Sequence, residues 1–203
     1  MKFTKKRYKN ITPSNFIVIP FGAFEKDFEI ASRFESLLNT QNLSKNANPS
    51  KAKITYVGRG GADMQQALTI IFGAFQLGLH KDFELFSHYQ LQFIGTSYAA
   101  AGKGIKTIEP LAIKLGLKDY VTEITDRIPY FESLHLLKKS DLLLVPGSTD
   151  SNYTASKLYP YILSKKPILA VFSKTSSVVE IFEKTKAGEF ITFDAENLSL
   201  IHI

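Results

Sequence analysis

Short apolar runs alternate with stretches of helical period along most of this chain, and few folds accept that pattern. KITYVG (53–58), LQFIG (91–95), YVTEI (120–124), DLLLVPG (141–147), PILAVF (167–172) and EFITF (189–193) read as buried strands. From Asp63 to about Phe86, Met64, Ala67, Leu68, Ile71, Phe72 and Phe75 recur at helical spacing. Further helices are predicted from Thr107 to Leu115, stopped by Gly116 as a C-cap, and over 131–140, 156–165 and 176–185. Strands and helices in this order predict βαβ crossovers. The expected fold is α/β, a Rossmann-like parallel sheet of about six strands with helices on both faces.

At 203 residues, one domain is the default. The divisions expected are a basic leader at 1–15, a segment at 16–52, the sheet domain at 53–194 and a tail at 195–203. Within 16–52, FIVIPF reads as a strand, EKDFEIASRFESLLN as a helix, and TQNLSKNANPSKA as a polar loop. The absence of cysteine removes disulfides, thiolate metal sites and thiol catalysis, and fits a reducing cytoplasm. No apolar run reaches signal-peptide or membrane-spanning length. A formal net charge of +6 favours anionic partners, although the basic stretch MKFTKKRYKN supplies part of it without any binding role.

Parallel sheets bind ligands beyond the carboxyl ends of their strands, so four loops matter: VGRGGAD, IGTSYAAAGKG, TDRIPY and PGSTDSNYTASK. In the first, Gly58, Gly60 and Gly61 do not complete a dinucleotide fingerprint, because Asp63 occupies the last position, and no acid ends strand LQFIG. A nicotinamide or flavin cofactor is not expected. What remains is a turn that delivers Arg59 beside a helix start, suited to a phosphate or equally to a solvated side chain. The fourth loop offers Ser148, Thr149, Asp150, Ser151, Asn152, Thr154 and Ser156 as donors and acceptors, Tyr153 as a stacking face and Lys157 as a point charge. Asp126, Arg127 and Glu132 could contact a sugar or pair with one another. His80, His88, His135 and His202 have no metal spacing and read as structural; no metal site is expected. Pro160, four residues after Ser156, predicts either a disrupted first turn or a helix that starts later.

The order of these pieces resembles the carboxy-terminal, donor-binding half of GT-B retaining glycosyltransferases, from Phe16 to Phe193. The residues that carry it are FIVIPFGAFEKDFE, ITYVGRGG, LQFIGTSY, LAIKLGLKDYVTEITDRIPYFESLHLLKKSDLLLVPG and SKLYPYILSKKPILAV. The resemblance implies a nucleoside-diphosphate sugar as donor substrate, with no separate cofactor. Gly58 and Arg59 would form the glycine-arginine turn at the donor diphosphate, and Ser156 and Lys157 the Ser-Lys pair facing the nucleotide-sugar, with Arg59 and Lys157 in catalytic roles. The segment from Pro146 to Tyr153 would hold the sugar. Gly60, Gly61, Thr96, Ser97, Arg127, Ser148, Asp150, Tyr153, Thr154 and Ser156 complete the expected donor site.

Three positions depart from the family pattern. No lysine follows Arg59 in GGADMQQ, Pro160 stands where the family keeps a ribose-binding glutamate, and Asp150 is the nearest match to the first acid of its paired-glutamate motif. An amino-terminal half would bring the saccharide, lipid or other acceptor, so these residues alone are expected to bind donor but not to turn it over. The implied whole protein is cytoplasmic, works in polysaccharide biosynthesis, does not bind nucleic acid, and associates peripherally with a membrane. The alternatives are a non-catalytic domain of the same fold that scaffolds surface-polysaccharide assembly, and a nucleotide-sugar epimerase. The scattered histidines argue against the second.

Overall fold

The computed structural model describes residues 6–8, 10, 12, 22–37, 50–150, 153 and 156–194. The FIVIPF run, most of the polar loop before Ser50, and the 195–203 tail lie outside them. Six parallel strands form one sheet: β1 (Ala52–Val57), β2 (Tyr89–Ile94), β3 (Val121–Ile124), β4 (Leu142–Pro146), β5 (Ile168–Ser173) and β6 (Glu189–Phe193). Their spatial order is β3-β2-β1-β4-β5-β6, so the winding direction reverses between β1 and β4. That reversal is where such sheets open a crevice for ligands. The predicted fold class stands.

Both faces of the central strands are covered, which is why β4 and β5 are apolar runs without alternation, while β3 alternates and the edge strand β6 is largely exposed. Leu91, Phe93, Leu143 and Ala170 from three strands are almost wholly buried. They pack against Leu68 and Phe72 of α2 (Gln65–Lys81), Leu134 and Leu137 of α5 (Tyr130–Lys139), Leu158 and Tyr161 of α6 (Leu158–Leu163), and Val178 and Phe182 of α7 (Ser177–Thr185) within one core. α1 (Glu25–Arg33) carries Glu25 and Asp27 in its first turn and Arg33 in its last, charges that suit its dipole. It buries Phe28 and Ala31, and it packs against α5.

The helix expected to run unbroken to about Phe86 is three elements instead. A 3-10 turn (Ala62–Met64) leads into α2, and Asp82 then breaks the chain before α3 (Phe83–Ser87). Asp82 adopts a non-helical φ of −148° and caps α3 by accepting a hydrogen bond from Leu85 N at 2.9 Å. The apolar period continues across this break because Phe86 folds back onto α2. Gly78 permits that return, since a Cβ there would lie 2.2 Å from the Phe86 ring. Gly78→Ala is therefore expected to destabilise the domain by about 1 kcal/mol despite its better helix propensity, measured as a lowered urea midpoint.

α4 (Glu109–Lys114) is shorter than predicted, but Gly116 follows it at φ +73°, as a C-capping glycine should. α6 begins at Leu158 and not at Ser156. Pro160 is its third residue, inside the first turn, where the missing N–H would have had no helical partner.

Candidate functional site

Strands β1 and β4 pair only through Ile54↔Leu142 and Thr55↔Leu143, so they part before their carboxyl ends. Beyond that point the Tyr161 hydroxyl replaces the missing strand: it accepts from Val57 N at 2.7 Å and donates to Val57 O at 3.2 Å. Burial raises the Tyr161 pKa, so the hydroxyl keeps the proton that it donates. One side chain of α6 thus closes the ladder at depth while leaving the edge above it open.

That opening is a cleft of about 230 Å³ whose walls include Val57, Gly95, Ile128, Pro160 and Tyr161. Two cations, Arg127 and Lys157, also line it. Neither forms an ion pair with a carboxylate among the described residues. Desolvation, together with the Arg127 charge, pushes the Lys157 ammonium below its ordinary pKa. Two like charges held on one apolar wall are an arrangement that an anion would relieve. The Arg127 guanidinium stacks on the ring of Tyr98, 4.6 Å from its centroid, at the cleft rim. Asp126 beside it accepts from Gly102 N at 2.9 Å.

Arg59 sits in a second cluster, held by charge within the chain. Its guanidinium makes a two-pronged contact with Asp63, Nη1 to Oδ1 at 2.9 Å and Nη2 to Oδ2 at 2.6 Å, and lies 4.7 Å from the centroid of the Tyr153 ring. Ser148 Oγ donates to Asp63 Oδ2, while the Asp63 carbonyl accepts from Thr149 N at 2.8 Å. The loops after β1 and β4 are stitched together by this one aspartate. Arg59 holds the Asp63 carboxyl down to about 2. A folded-state pKa below the ordinary 3.8 stabilises the fold above about pH 4, and that contribution disappears as pH falls toward 2. With the pair partly exposed, the contribution is about 1 kcal/mol. Asp63→Asn should flatten the acid limb of stability between pH 4 and 2, a change read from urea unfolding at successive pH values.

The glycines of the first loop serve close packing. A Cβ on Gly58 would lie 2.3 Å from the Tyr56 ring, and Tyr56 Oη in turn donates to Arg59 O at 3.0 Å. Gly61 has φ +152°, open to few other residues, and a Cβ there would meet the Asp63 carboxylate at 2.6 Å. Gly60 N donates to Thr96 O at 2.7 Å. Thr96 is buried with its hydroxyl on Glu123 Oε1 at 2.7 Å, and the Ser97 hydroxyl accepts from Ala99 N at 3.1 Å. Asp150 N donates to Ser148 Oγ, and Ser156 lies in the turn before α6. Thr154, with Ser151 and Asn152, falls outside the described residues.

The predicted positions therefore separate. Arg127 and Lys157 meet in the cleft; Gly58, Arg59, Gly60, Gly61, Ser148 and Tyr153 gather around Asp63; Thr96 and Ser97 support the loop after β2. Asp63 and Glu123 were missed as organising residues. Asp63 stands four residues after Arg59, which was a legible pairing signal, and Glu123 is a lone acid at an inward position of a buried strand. The histidines occupy structural places: His80 and His88 face the carbonyls of Gln76 and Glu84, and His135 is buried 3.8 Å from Glu35, while His202 is outside the described residues.

Solved structures share this fold. WaaG, a glycosyltransferase involved in lipopolysaccharide biosynthesis, matches over 95% of this chain and 47% of its own, at 17% identity and a TM-score of 0.57. A UDP-forming trehalose-phosphate synthase from Burkholderia xenovorans matches over 89% of this chain and 41% of its own, at 15% identity and TM-score 0.58. Anabaena HepE, solved with UDP and glucose, matches over 88% and 42%, at 16% identity and TM-score 0.50. The chain has the fold of one half of a GT-B glycosyltransferase. It spans less than half the length of each of these proteins. At such identities the likeness is one of fold. No protein-family model matches the chain, and no curated protein sequence does. Among the described residues no helix is long and apolar enough to cross a membrane.

Proposed function

We propose that this chain is the donor-binding half of a glycosyltransferase and that its cleft takes a nucleoside-diphosphate sugar. The observation that carries the reading is the pair Arg127 and Lys157, two cations without carboxylate partners among the described residues, on the wall of the cleft at the switch point of a GT-B-type sheet. Glycosyl transfer leaves negative charge on the departing diphosphate, and fixed cations stabilise that charge as it develops. Lys157 and Arg127 supply it from separate loops. α6 adds little of its own, being six residues long with Pro160 in its first turn. The acceptor, a saccharide or lipid, and the remaining catalytic groups come from a second half. The structural neighbours support this reading: HepE was solved with UDP and glucose, and the synthases are UDP-forming.

Calorimetric titration with UDP, ADP, GDP and the corresponding nucleosides tests it. At least one diphosphate should bind at millimolar concentration or below, and Arg127→Ala or Lys157→Ala should each weaken it by about tenfold, the loss of one charge-assisted hydrogen bond. Absence of diphosphate binding, or binding indifferent to both substitutions, would remove the donor-site reading.

A further inference from the structure

We infer that Asp63 acts as an internal competitor for the ligand's diphosphate at Arg59, so that this arginine joins the site only when an anion displaces the carboxylate. The inference rests on the donor-site reading above and concerns a residue that this reading leaves unused. A guanidinium presents one planar fork to a carboxylate or a phosphate, and Asp63 fills both prongs. The pair is accessible: its side chains are 25% and 31% exposed, so an incoming anion can reach it. Because it is tethered four residues away, the Asp63 carboxylate competes at high effective concentration.

Displacement does not require the loops to part. Asp63 keeps its hydrogen bond from Ser148, and its carbonyl keeps Thr149, whichever partner Arg59 holds. Arg59 likewise remains placed by the Tyr153 ring beneath it and by Tyr56 Oη on its carbonyl. The switching element is thus one side chain with two alternative anions. Asp63 lowers the affinity of the resting site, and the discrimination it imposes favours ligands whose charge exceeds that of a single carboxylate.

Inorganic pyrophosphate is the probe, titrated calorimetrically into the native chain, Asp63→Asn, Arg59→Ala and the double variant, with thermal unfolding as the check on folding. Asp63→Asn should tighten binding by about fivefold or more. Arg59→Ala should cost at least about fivefold more affinity in the Asp63→Asn background than in the native one. Ser148→Ala, which takes from the displaced Asp63 carboxylate the hydrogen bond that receives it, should weaken binding severalfold, and unchanged or tighter binding in that variant would overturn the competitor role if Asp63→Asn does not fold. Unchanged or weaker binding in Asp63→Asn, or an Arg59→Ala loss equal in both backgrounds, would overturn the competitor role while leaving the Arg127 and Lys157 site standing. No binding of pyrophosphate by any form would overturn the competitor role, and the donor-site reading is then decided by the nucleoside-diphosphate titration alone.

Discussion

Glu123→Ala is expected to cost the domain about 4 kcal/mol, the largest loss of any single substitution considered, because it strips three backbone N–H groups and a hydroxyl of one shared acceptor. Glu123 lies on β3 at 4% exposure. Its Oε2 accepts from Ile108 N and Glu109 N, both at 2.9 Å, and its Oε1 from Thr107 N at 3.2 Å and Thr96 Oγ1 at 2.7 Å. The carboxylate thus caps α4 from a neighbouring strand, a position where negative charge is favoured by the helix dipole. Alanine would leave those donors dry and unpaired beside a cavity. Glu123→Gln should fall between the two, since its amide nitrogen would confront a backbone N–H. Urea unfolding is the measurement. A loss below about 1 kcal/mol for alanine would mean that water replaces the carboxylate and that the network is ornamental.

The same residue shows where sequence reading stops. Alternating strands and helices were legible because each run is long enough to bury itself, whereas the order β3-β2-β1-β4-β5-β6 was not, since right-handed parallel crossovers allow more than one doubly wound order. Gly116 and Pro160 could be placed because each has one dominant backbone consequence. The break at Asp82 was hidden by an apolar period that continues through it in space, though the Asp itself is a capping residue. Glu123 reaches partners fourteen to twenty-seven positions away, and no local pattern encodes which loop a buried acid will cap. For the site, the loops were legible from their place at the strand ends, and Lys157 from its place at a helix mouth. The division between a cleft whose two cations have no carboxylate partner among the described residues and an arginine already taken by Asp63 depends on how the loops fold against each other. Charge at a loop shows that an anion can be held; only packing shows whether the chain itself supplies that anion.

Tyr161→Phe is the second large effect, about 3 kcal/mol of stability together with weakened diphosphate binding. Removal of the hydroxyl leaves Val57 N and Val57 O without their partner at the point where β4 has already diverged. Each orphaned buried group costs about 1–3 kcal/mol, and phenylalanine offers neither a donor nor an acceptor. Val57 must then find water through the cleft or draw β4 inward. Either response shifts α6, because Tyr161 is the side chain by which that short helix grips β1. Lys157 immediately precedes the same helix and Pro160 stiffens its first turn, so a shift of α6 moves the cation that the anion site depends on. Binding of a nucleoside diphosphate should therefore fall severalfold in Tyr161→Phe although Tyr161 contributes no charge. A further Lys157→Ala substitution should then cost less than it does in the native chain, because the misplaced lysine has already lost part of its contact. If stability falls while affinity and the Lys157→Ala penalty stay at native values, the hydroxyl serves the ladder alone and α6 is held at the cleft by its core contacts, Leu158 foremost among them.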